Sequence, residues 1–123
     1  MDKTLHDYAK GPRRPKVYIS GPMTGMKNHN REAFVEAERY LKNIGFSVFN
    51  PSNNPTSDKF TWEMYMKWDL KNMLDCDLIF MLDGWENSRG AKLEKYLADE
   101  MKIPELKKSL IELVQAVDFG ENY

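Results

Sequence analysis

Short apolar runs alternate with longer amphipathic stretches along the chain. The runs Val17–Ser20, Phe46–Phe49 and Asp77–Leu82 are rich in β-branched and aromatic residues and stop at turn-forming residues, which predicts three buried strands. Between the runs, apolar residues recur at the spacing of one helix face. Strands separated by helices predict right-handed crossovers and a parallel sheet. We therefore expect an α/β fold, a three-layer sandwich around a small parallel sheet, Rossmann- or flavodoxin-like.

Capping residues set the expected limits of the first two helices. The first helix runs from Asn28 or Asn30, either of which suits an N-cap, to about Ile44. The second runs from an N-cap at Thr61 to about Leu74. The polar loop that precedes Thr61 is long enough to indicate a role in binding or as a lid, and disorder is the alternative.

The C-terminal third of the chain is less regular. A turn of small residues follows the third strand and opens a third helix, which continues to Met101. Ile103–Pro104 leaves room for a brief fourth strand, and Pro104 suits the first turn of a last helix. The apolar face predicted for this last helix comprises Leu106, Leu110, Val114 and Val117. A sheet of so few strands leaves edges and faces exposed, so we expect a homodimer or a higher homo-oligomer.

Composition and charge narrow the class of protein. The chain has 123 residues, and we expect a flexible arm at residues 1–15 and a single domain at residues 16–123. A formal net charge of -1 argues against nucleic acid as a partner. No apolar run approaches the length of a membrane span, and the N-terminus has no apolar signal-peptide core. We therefore expect no membrane partner and a cytoplasmic location.

Cysteine and histidine are scarce. Cys76 is the single cysteine, and His6 and His29 are the two histidines. This composition excludes an internal disulfide and the usual metal clusters. We expect neither a metal nor a cofactor, and we interpret Cys76 as a small buried apolar residue.

Three loops follow the predicted strands. In open parallel sheets, ligands bind beyond the carboxyl ends of the strands, and here that edge collects Ser20–Gly25, Asn50 and Asp83–Gly90. The loops match neither the dinucleotide fingerprint G-x-G-x-x-G nor a P-loop with its lysine. They predict a less specific anion site, made of hydroxyls and of backbone N–H groups at the start of a helix.

Two acidic residues lie on the inward side of predicted helices. Glu94 stands one turn into the third helix, on the same stripe as Ala91 and Ala98. Asp69 lies in line with the apolar residues of the second helix. Spacing alone leaves two interpretations open, namely catalysis and a structural role as a helix cap or ion pair.

Four short motifs occur in a characteristic order. They are Val17-Tyr18-Ile19-Ser20-Gly21-Pro22, Trp68-Asp69-Leu70, Asp75-Cys76-Asp77, and Asn87-Ser88-Arg89-Gly90 followed by Glu94. Over residues 16–101 this ordered set resembles the nucleoside 2-deoxyribosyltransferase superfamily. More narrowly, it is similar to the small phage and bacterial branch near the 2′-deoxynucleoside 5′-monophosphate N-glycosidases.

The resemblance implies cleavage of the N-glycosidic bond of a nucleoside or its 5′-monophosphate, by hydrolysis or base exchange. Glu94 then matches the nucleophile that attacks C1′ and forms a covalent glycosyl-enzyme. Asp69 matches the second acid, which assists the departing base. Tyr18 matches a tyrosine that orients the nucleophile. The implied partner is a small-molecule nucleoside or nucleotide.

The resemblance also implies contacts with the substrate. Ser88 and Gly90 match a turn that binds a 5′-phosphate, with Arg89 or Arg31 as additional charge. The other predicted substrate contacts are Ser20, Gly21, Asn50, Asn87 and Trp85. Trp85 either stacks on the base or packs against the helix or a second subunit.

One departure from the family pattern bears on the sheet and the oligomer. The chain passes through Ile103–Pro104 into a charged helix where the family usually has a further strand. In deoxyribosyltransferases the C-terminal tail of a neighbouring subunit helps to complete the site, and by resemblance Asn122 or Tyr123 would do so here. We favour an enzyme, and the alternative is a non-catalytic nucleotide-binding or sensing module.

Overall fold

The computed structural model describes residues 14–121, with side chains to residue 115. The described elements are, in chain order, β1 (Lys16–Ser20), α1 (Arg31–Ile44), β2 (Ser47–Phe49), α2 (Trp62–Met73), β3 (Leu78–Met81), α3 (Arg89–Glu100) and α4 (Lys108–Glu121). None of these helices is long and apolar enough to cross a membrane. Most of the predicted N-terminal arm, together with Asn122 and Tyr123, lies outside the described residues.

The sheet has β1 at its centre, in the order β2-β1-β3, and both pairings are parallel. Tyr18 of β1 pairs with Phe49 on one side and with Ile79 on the other. Helices α1 and α2 form the crossovers that parallel neighbours require. The predicted α/β fold with a small parallel sheet is therefore confirmed.

Helices cover both faces of the sheet. The face toward α1 and α4 buries Val17, Ile19, Phe34, Leu41 and Ile111. The face toward α2 and α3 buries Tyr18, Met73, Ile79 and Ala98. Because successive residues of β1 point to opposite faces, this one strand contributes to both halves of the core. The two apolar clusters give the sandwich its three layers.

The helix ends agree with the predicted caps in part. Thr61 accepts a hydrogen bond from the backbone N–H of Met64 at 3.1 Å, as an N-cap should. Asn30 occupies the N-cap position of α1, but its side chain makes no cap hydrogen bond. Instead, Asn28, His29 and Asn30 all adopt left-handed backbone angles, with φ of 51°, 53° and 62°.

The C-terminal part corrects the sequence prediction. The last helix begins at Lys108 and not at Pro104, because the backbone around Glu105 pairs with Ile79 of β3. The N–H of Ile79 donates to the carbonyl of Pro104 at 3.0 Å, and Leu106 donates back at 2.8 Å. The possible fourth strand is thus reduced to a single parallel bridge.

This later start rotates the face that α4 turns to the core. Ile111 is buried, whereas Leu110 and Val114, two residues of the predicted apolar face, are 51% and 50% exposed. Leu106 is buried, but from the bridge and not from the helix. Val117 lies beyond the described side chains. The predicted face of α4 was therefore wrong.

Candidate active site

A cleft of about 740 Å³ lies beyond the carboxyl ends of the strands. The loop after β1, the start of α1, the loop after β2, helix α2 and the start of α3 form its walls. The predicted site residues that line it are Gly21, Arg31, Asp69, Ser88, Gly90 and Glu94. This is the position at which open parallel sheets bind ligands.

Glu94 lines the cleft and is only 5% exposed. The hydroxyl of Tyr18 donates to its Oε2 at 2.6 Å, and the hydroxyl of Ser20 donates to its Oε1 at 2.6 Å. Both donors are fully buried in β1 and stand two residues apart, so they point to the same side of the sheet. Each carboxylate oxygen therefore has a fixed partner, and the carboxylate has a fixed orientation.

The pKa of Glu94 is raised from its ordinary value of 4.5 to about 7. Burial is the main cause, because it disfavours the charged form, and the negative charge of Asp69 adds to it. The hydrogen bonds from Ser20 and Tyr18 act in the opposite direction. The pKa of Tyr18 is also raised, by burial and then by Glu94, so its hydroxyl remains a donor at neutral pH.

Asp69 is the second acid of the cleft and is 9% exposed. Its Oδ1 accepts a hydrogen bond from Nδ2 of Asn54 at 2.8 Å. Burial raises the pKa of Asp69 to about 6, although the bond from Asn54 lowers it. Asp69 and Glu94 come from different helices, and the charge of Asp69 acts on the pKa of Glu94. The cleft thus contains a pair of acids whose pKa values lie near neutrality.

The start of α3 forms the neighbouring wall. Ser88 is the N-cap, and its Oγ accepts from the N–H of Ala91 at 3.1 Å. A Cβ atom at Gly90 would lie 3.2 Å from the sulfur of Met66, so a side chain at this position would require Met66 to shift. The guanidinium of Arg89 stacks on the ring of Trp62, 3.6 Å from its centroid. The guanidinium of Arg89 is therefore held against the ring of Trp62.

The remaining predicted residues fall outside the cleft lining. Tyr18 and Ser20 lie behind Glu94 and hold it. Asn50 is 5% exposed and uses its side chain within the protein, donating to Glu38 at 2.9 Å and accepting from the N–H of Ser52 at 2.9 Å. Trp85 and Asn87 belong to a short 3-10 turn away from the lining. The structure therefore places Glu94 and Asp69 in one cleft. Its lining does not include Asn50, Trp85 or Asn87.

Sequence reasoning missed several residues of the cleft. Asn54, the partner of Asp69, lies in the long polar loop for which a binding or lid role was predicted without naming a residue. Trp62, in the first turn of α2, also lines the cleft. Asn28 and His29 reach the lining through their left-handed turn, for which the sequence carries no glycine as a signal.

Gly21 fixes the floor of the cleft where β1 ends. A Cβ atom at this position would lie 2.7 Å from Cβ of Leu82, which is closer than real contacts allow. The loop after β1 therefore runs against the strand end of β3 with no space for a side chain. Within residues 14–121, no group of three or more His, Cys, Asp or Glu side chains is arranged to hold a metal ion.

A family model described as Domain of unknown function (DUF4406) matches residues 15–106. The match therefore includes every element from β1 to the bridge at Glu105, and all of the described cleft. A comparison with curated proteins gave no significant match.

Solved structures show the same fold. One is a 2-deoxyribosyltransferase from Bacillus psychrosaccharolyticus, with 23% identity and a TM-score of 0.59 over 73% of this chain and 69% of the other. Another is a conserved protein from Enterococcus faecalis V583, with 22% identity and a TM-score of 0.58 over 86% of this chain and 76% of the other. At these identities the likeness establishes the α/β architecture.

Proposed function

The chain belongs to the DUF4406 family, and we propose that it cleaves the N-glycosidic bond of a nucleoside or nucleoside 5′-monophosphate, with Glu94 as the nucleophile. One observation carries the proposal. Glu94 faces a cleft, is almost fully buried, and has both carboxylate oxygens held by hydroxyl donors. Within residues 14–121 no lysine or arginine forms an ion pair with it. A buried acid that is oriented but not neutralised is suited to chemistry.

In the first step, a carboxylate oxygen of Glu94 attacks C1′ of the sugar. The bond between C1′ and the base nitrogen breaks, a C1′–O bond to Glu94 forms, and the base leaves with the electron pair. Asp69, in its protonated form, donates a proton to the departing base. The hydrogen bonds from Tyr18 and Ser20 hold the attacking group in one orientation, which lowers the entropic part of the barrier.

In the second step, water or another base attacks C1′ and displaces Glu94. Asp69, now ionised, accepts a proton from the attacking group, so both acids return to their starting states. With water the reaction is a hydrolysis, and with a base it is an exchange. The cleft is large enough to admit an acceptor after the first base departs.

The order of the two pKa values bears on these roles. Glu94, with a pKa of about 7, holds a proton more tightly than Asp69, with a pKa of about 6. Substrate would cover the exposed part of Asp69 and complete its burial, which raises the pKa of a carboxyl group. The hydrogen bonds that favour ionised Glu94 remain in place. Binding therefore favours a protonated Asp69 beside an ionised Glu94, which are the states that the reaction needs.

An anionic 5′ end of the substrate would find positive potential at the cleft. The N-terminus of α3 brings backbone N–H groups and the positive end of the helix dipole to Ser88 and Gly90. Arg31 lines the opposite wall and donates to the carbonyl of Ser52 at 2.7 Å. Within the described part of the chain it forms no ion pair, so its charge remains available to a phosphate.

The comparison with the Bacillus psychrosaccharolyticus protein supports the same reaction class. That protein is a 2-deoxyribosyltransferase, and its fold matches this one over most of both chains. The likeness gives the proposal a chemical precedent on this architecture. The contacts of Glu94 and Asp69 provide the argument for the present chain.

The experiment is a substrate panel. The purified protein is incubated with ribo- and deoxyribonucleosides and their 5′-monophosphates, with and without a free acceptor base, and released or exchanged base is separated by chromatography. We expect turnover of at least one member of the panel. Tight binding of a nucleotide without turnover of any member would contradict the enzyme and support the alternative of a non-catalytic nucleotide-binding module.

A further inference from the structure

We propose that Asn54 is a positioning residue for Asp69. The indole of Trp68 in turn sets the orientation of the Asn54 amide. The proposal rests on the proposed function only for the acid role of Asp69. The three residues form a chain of hydrogen bonds from the protein surface to the cleft. Nε1 of Trp68 donates to Oδ1 of Asn54 at 3.3 Å, and Nδ2 of Asn54 donates to Oδ1 of Asp69 at 2.8 Å.

The direction of this chain follows from the chemistry of the groups. An indole N–H is a donor only, so the amide atom that faces Trp68 has to be the oxygen. The amide nitrogen of Asn54 is then turned toward Asp69, and a carboxylate oxygen accepts from it. Without the indole, the amide of Asn54 could rotate by half a turn and direct its oxygen at Asp69. That arrangement would favour a protonated Oδ1.

The consequence concerns which oxygen of Asp69 carries its proton. Oδ1 is occupied as an acceptor from Asn54. Among the described residues no group forms a hydrogen bond with Oδ2, and Asp69 lines the cleft. The proton of a neutral Asp69 is therefore located on Oδ2. Asn54 keeps this proton available to a substrate group.

Packing alone does not account for the contact. Trp68 is 49% exposed, and its ring lies beside a shallow apolar recess of about 260 Å³ next to Phe60 and Met64. A tryptophan half in water gains little from burial at this position. The feature that distinguishes it from a phenylalanine is its N–H, and that N–H is used on Asn54.

Other charged or titratable groups share the cleft with Asp69 and have to stay constant in any test. His29, Arg31, Asp58, Tyr65 and Glu94 line the cleft, and Tyr18 lies behind Glu94. None of them contacts Asn54 or Trp68 through a hydrogen bond. Substitution of Asn54 or Trp68 therefore changes one influence on Asp69 and leaves the others in place.

The test is a carbon-13 NMR titration of the Asp69 carboxyl group in the full-length protein without ligand. Asn54→Ala should raise the pKa of Asp69 by about one unit, because it removes a hydrogen bond to the ionised form. Trp68→Phe should raise the pKa by a smaller amount, because the amide remains but loses its orientation. Asn72→Ala is the matched control for the amide, since Asn72 donates to the carbonyl of Trp68 on the same helix. It should leave the pKa of Asp69 unchanged.

An unchanged or lowered pKa of Asp69 in Asn54→Ala would overturn the proposal. An unchanged pKa in Trp68→Phe would overturn the orienting role of Trp68. The same two variants should move the alkaline limb of the kcat/KM profile upward by the shift that NMR measures, whereas a purely structural role would lower activity at every pH. Failure of the substrate panel would leave the titration result intact, so the two proposals fail separately.

Discussion

Two glutamates at the carboxyl edge of the sheet have opposite electrostatic environments. Glu38 of α1 accepts from Asn50, the residue after β2, and forms an ion pair with Lys42 one turn along its own helix. Glu94 of α3 accepts from Tyr18 and Ser20 of β1. Both therefore bridge a helix to a strand end with the help of neutral donors. Of the two, Glu38 alone forms an ion pair within the described part of the chain.

The pKa values reflect this difference. Burial raises the pKa of both groups, but hydrogen bonds from Lys42 and Asn50 outweigh it for Glu38 and lower its pKa. At Glu94 burial dominates, and the pKa rises to about 7. The first arrangement stabilises a charge and suits a structural role. The second keeps a carboxylate near the midpoint of its titration at neutral pH, which costs stability and suits a nucleophile.

The largest expected effect is on turnover. Glu94→Gln should lower kcat by about a thousandfold or more, because an amide cannot form the glycosyl-enzyme. Nucleotide binding should change little, as measured by calorimetry. Glu38→Gln is the matched control, and it should retain most of the activity. Comparable activity in both variants would show that the contrast between the two glutamates has no catalytic meaning.

The next effect is on stability, with opposite signs for the two positions. The folded pKa of Glu94 exceeds its unfolded value, so its contribution to stability is fully present below about pH 4.5 and is lost as the pH rises through about 7. At pH 8, Glu94→Gln should therefore raise the free energy of unfolding by up to about 3 kcal/mol. Glu38→Gln should lower it by about 1 kcal/mol, since it weakens bonds to an ionised group.

Urea denaturation of both variants at pH 8 and at pH 4 measures this contrast. The gain from Glu94→Gln should disappear at pH 4, where the wild-type side chain is protonated in both the folded and the unfolded states. A variant that is less stable than wild type at pH 8 would mean that the charged form of Glu94 is well solvated, against the burial found here.

A smaller effect concerns the donors. Ser20→Ala should raise the pKa of Glu94, because it removes one of two hydrogen bonds to the ionised form, and it should lower kcat/KM at neutral pH by tenfold to about a hundredfold. The acidic limb of the kcat/KM profile should move to higher pH. Asn50→Ala should raise the pKa of Glu38 and leave the pKa of Glu94 unchanged. A raised pKa of Glu94 in Asn50→Ala, with none in Ser20→Ala, would contradict these pairings.

The smallest effect is the form of the wild-type pH profile. Turnover needs ionised Glu94 and protonated Asp69, whose pKa values are about 7 and about 6. We expect a bell-shaped dependence of kcat/KM with its maximum between about pH 6 and 7. A profile that rises steadily to pH 9 would exclude an acid role for Asp69.

Local patterns were sufficient to predict the fold and the inward position of the acids. Apolar runs ending in turn residues marked all three strands, and helical spacing placed Glu94 beside Ala91 and Ala98, which are buried as it is. The pairing of Ser20 with Glu94 spans 74 residues of sequence, so periodicity does not reveal it. Asn54 is missed for the same reason, since its loop has no period.

Two further differences arise from tertiary contacts. The bridge of Glu105 to Ile79 delays the start of α4 and turns Leu110 outward, which no capping signal near Pro104 discloses. Asn50 was predicted to contact substrate because it follows a strand. Its amide instead donates to Glu38, which stands one turn from the buried residues Phe34 and Leu41 of α1. Competition among partners decides such assignments, and a single sequence does not show the competitors.

The close approach of Gly21 to Leu82 means that one part of the cleft tolerates substitution poorly, while another part can vary. At the floor, the backbone of Gly21 lies against the side chain of Leu82 with no space for a Cβ atom. A substitution at Gly21 would therefore displace the end of β1, which carries the two hydrogen-bond donors to Glu94. The loop after β2 is more exposed and makes few contacts with the core. Engineering for a different base should therefore vary the loop residues Asn53, Thr56 and Ser57 and leave the floor unchanged. Selectivity and reactivity would then be separable by position along one cleft.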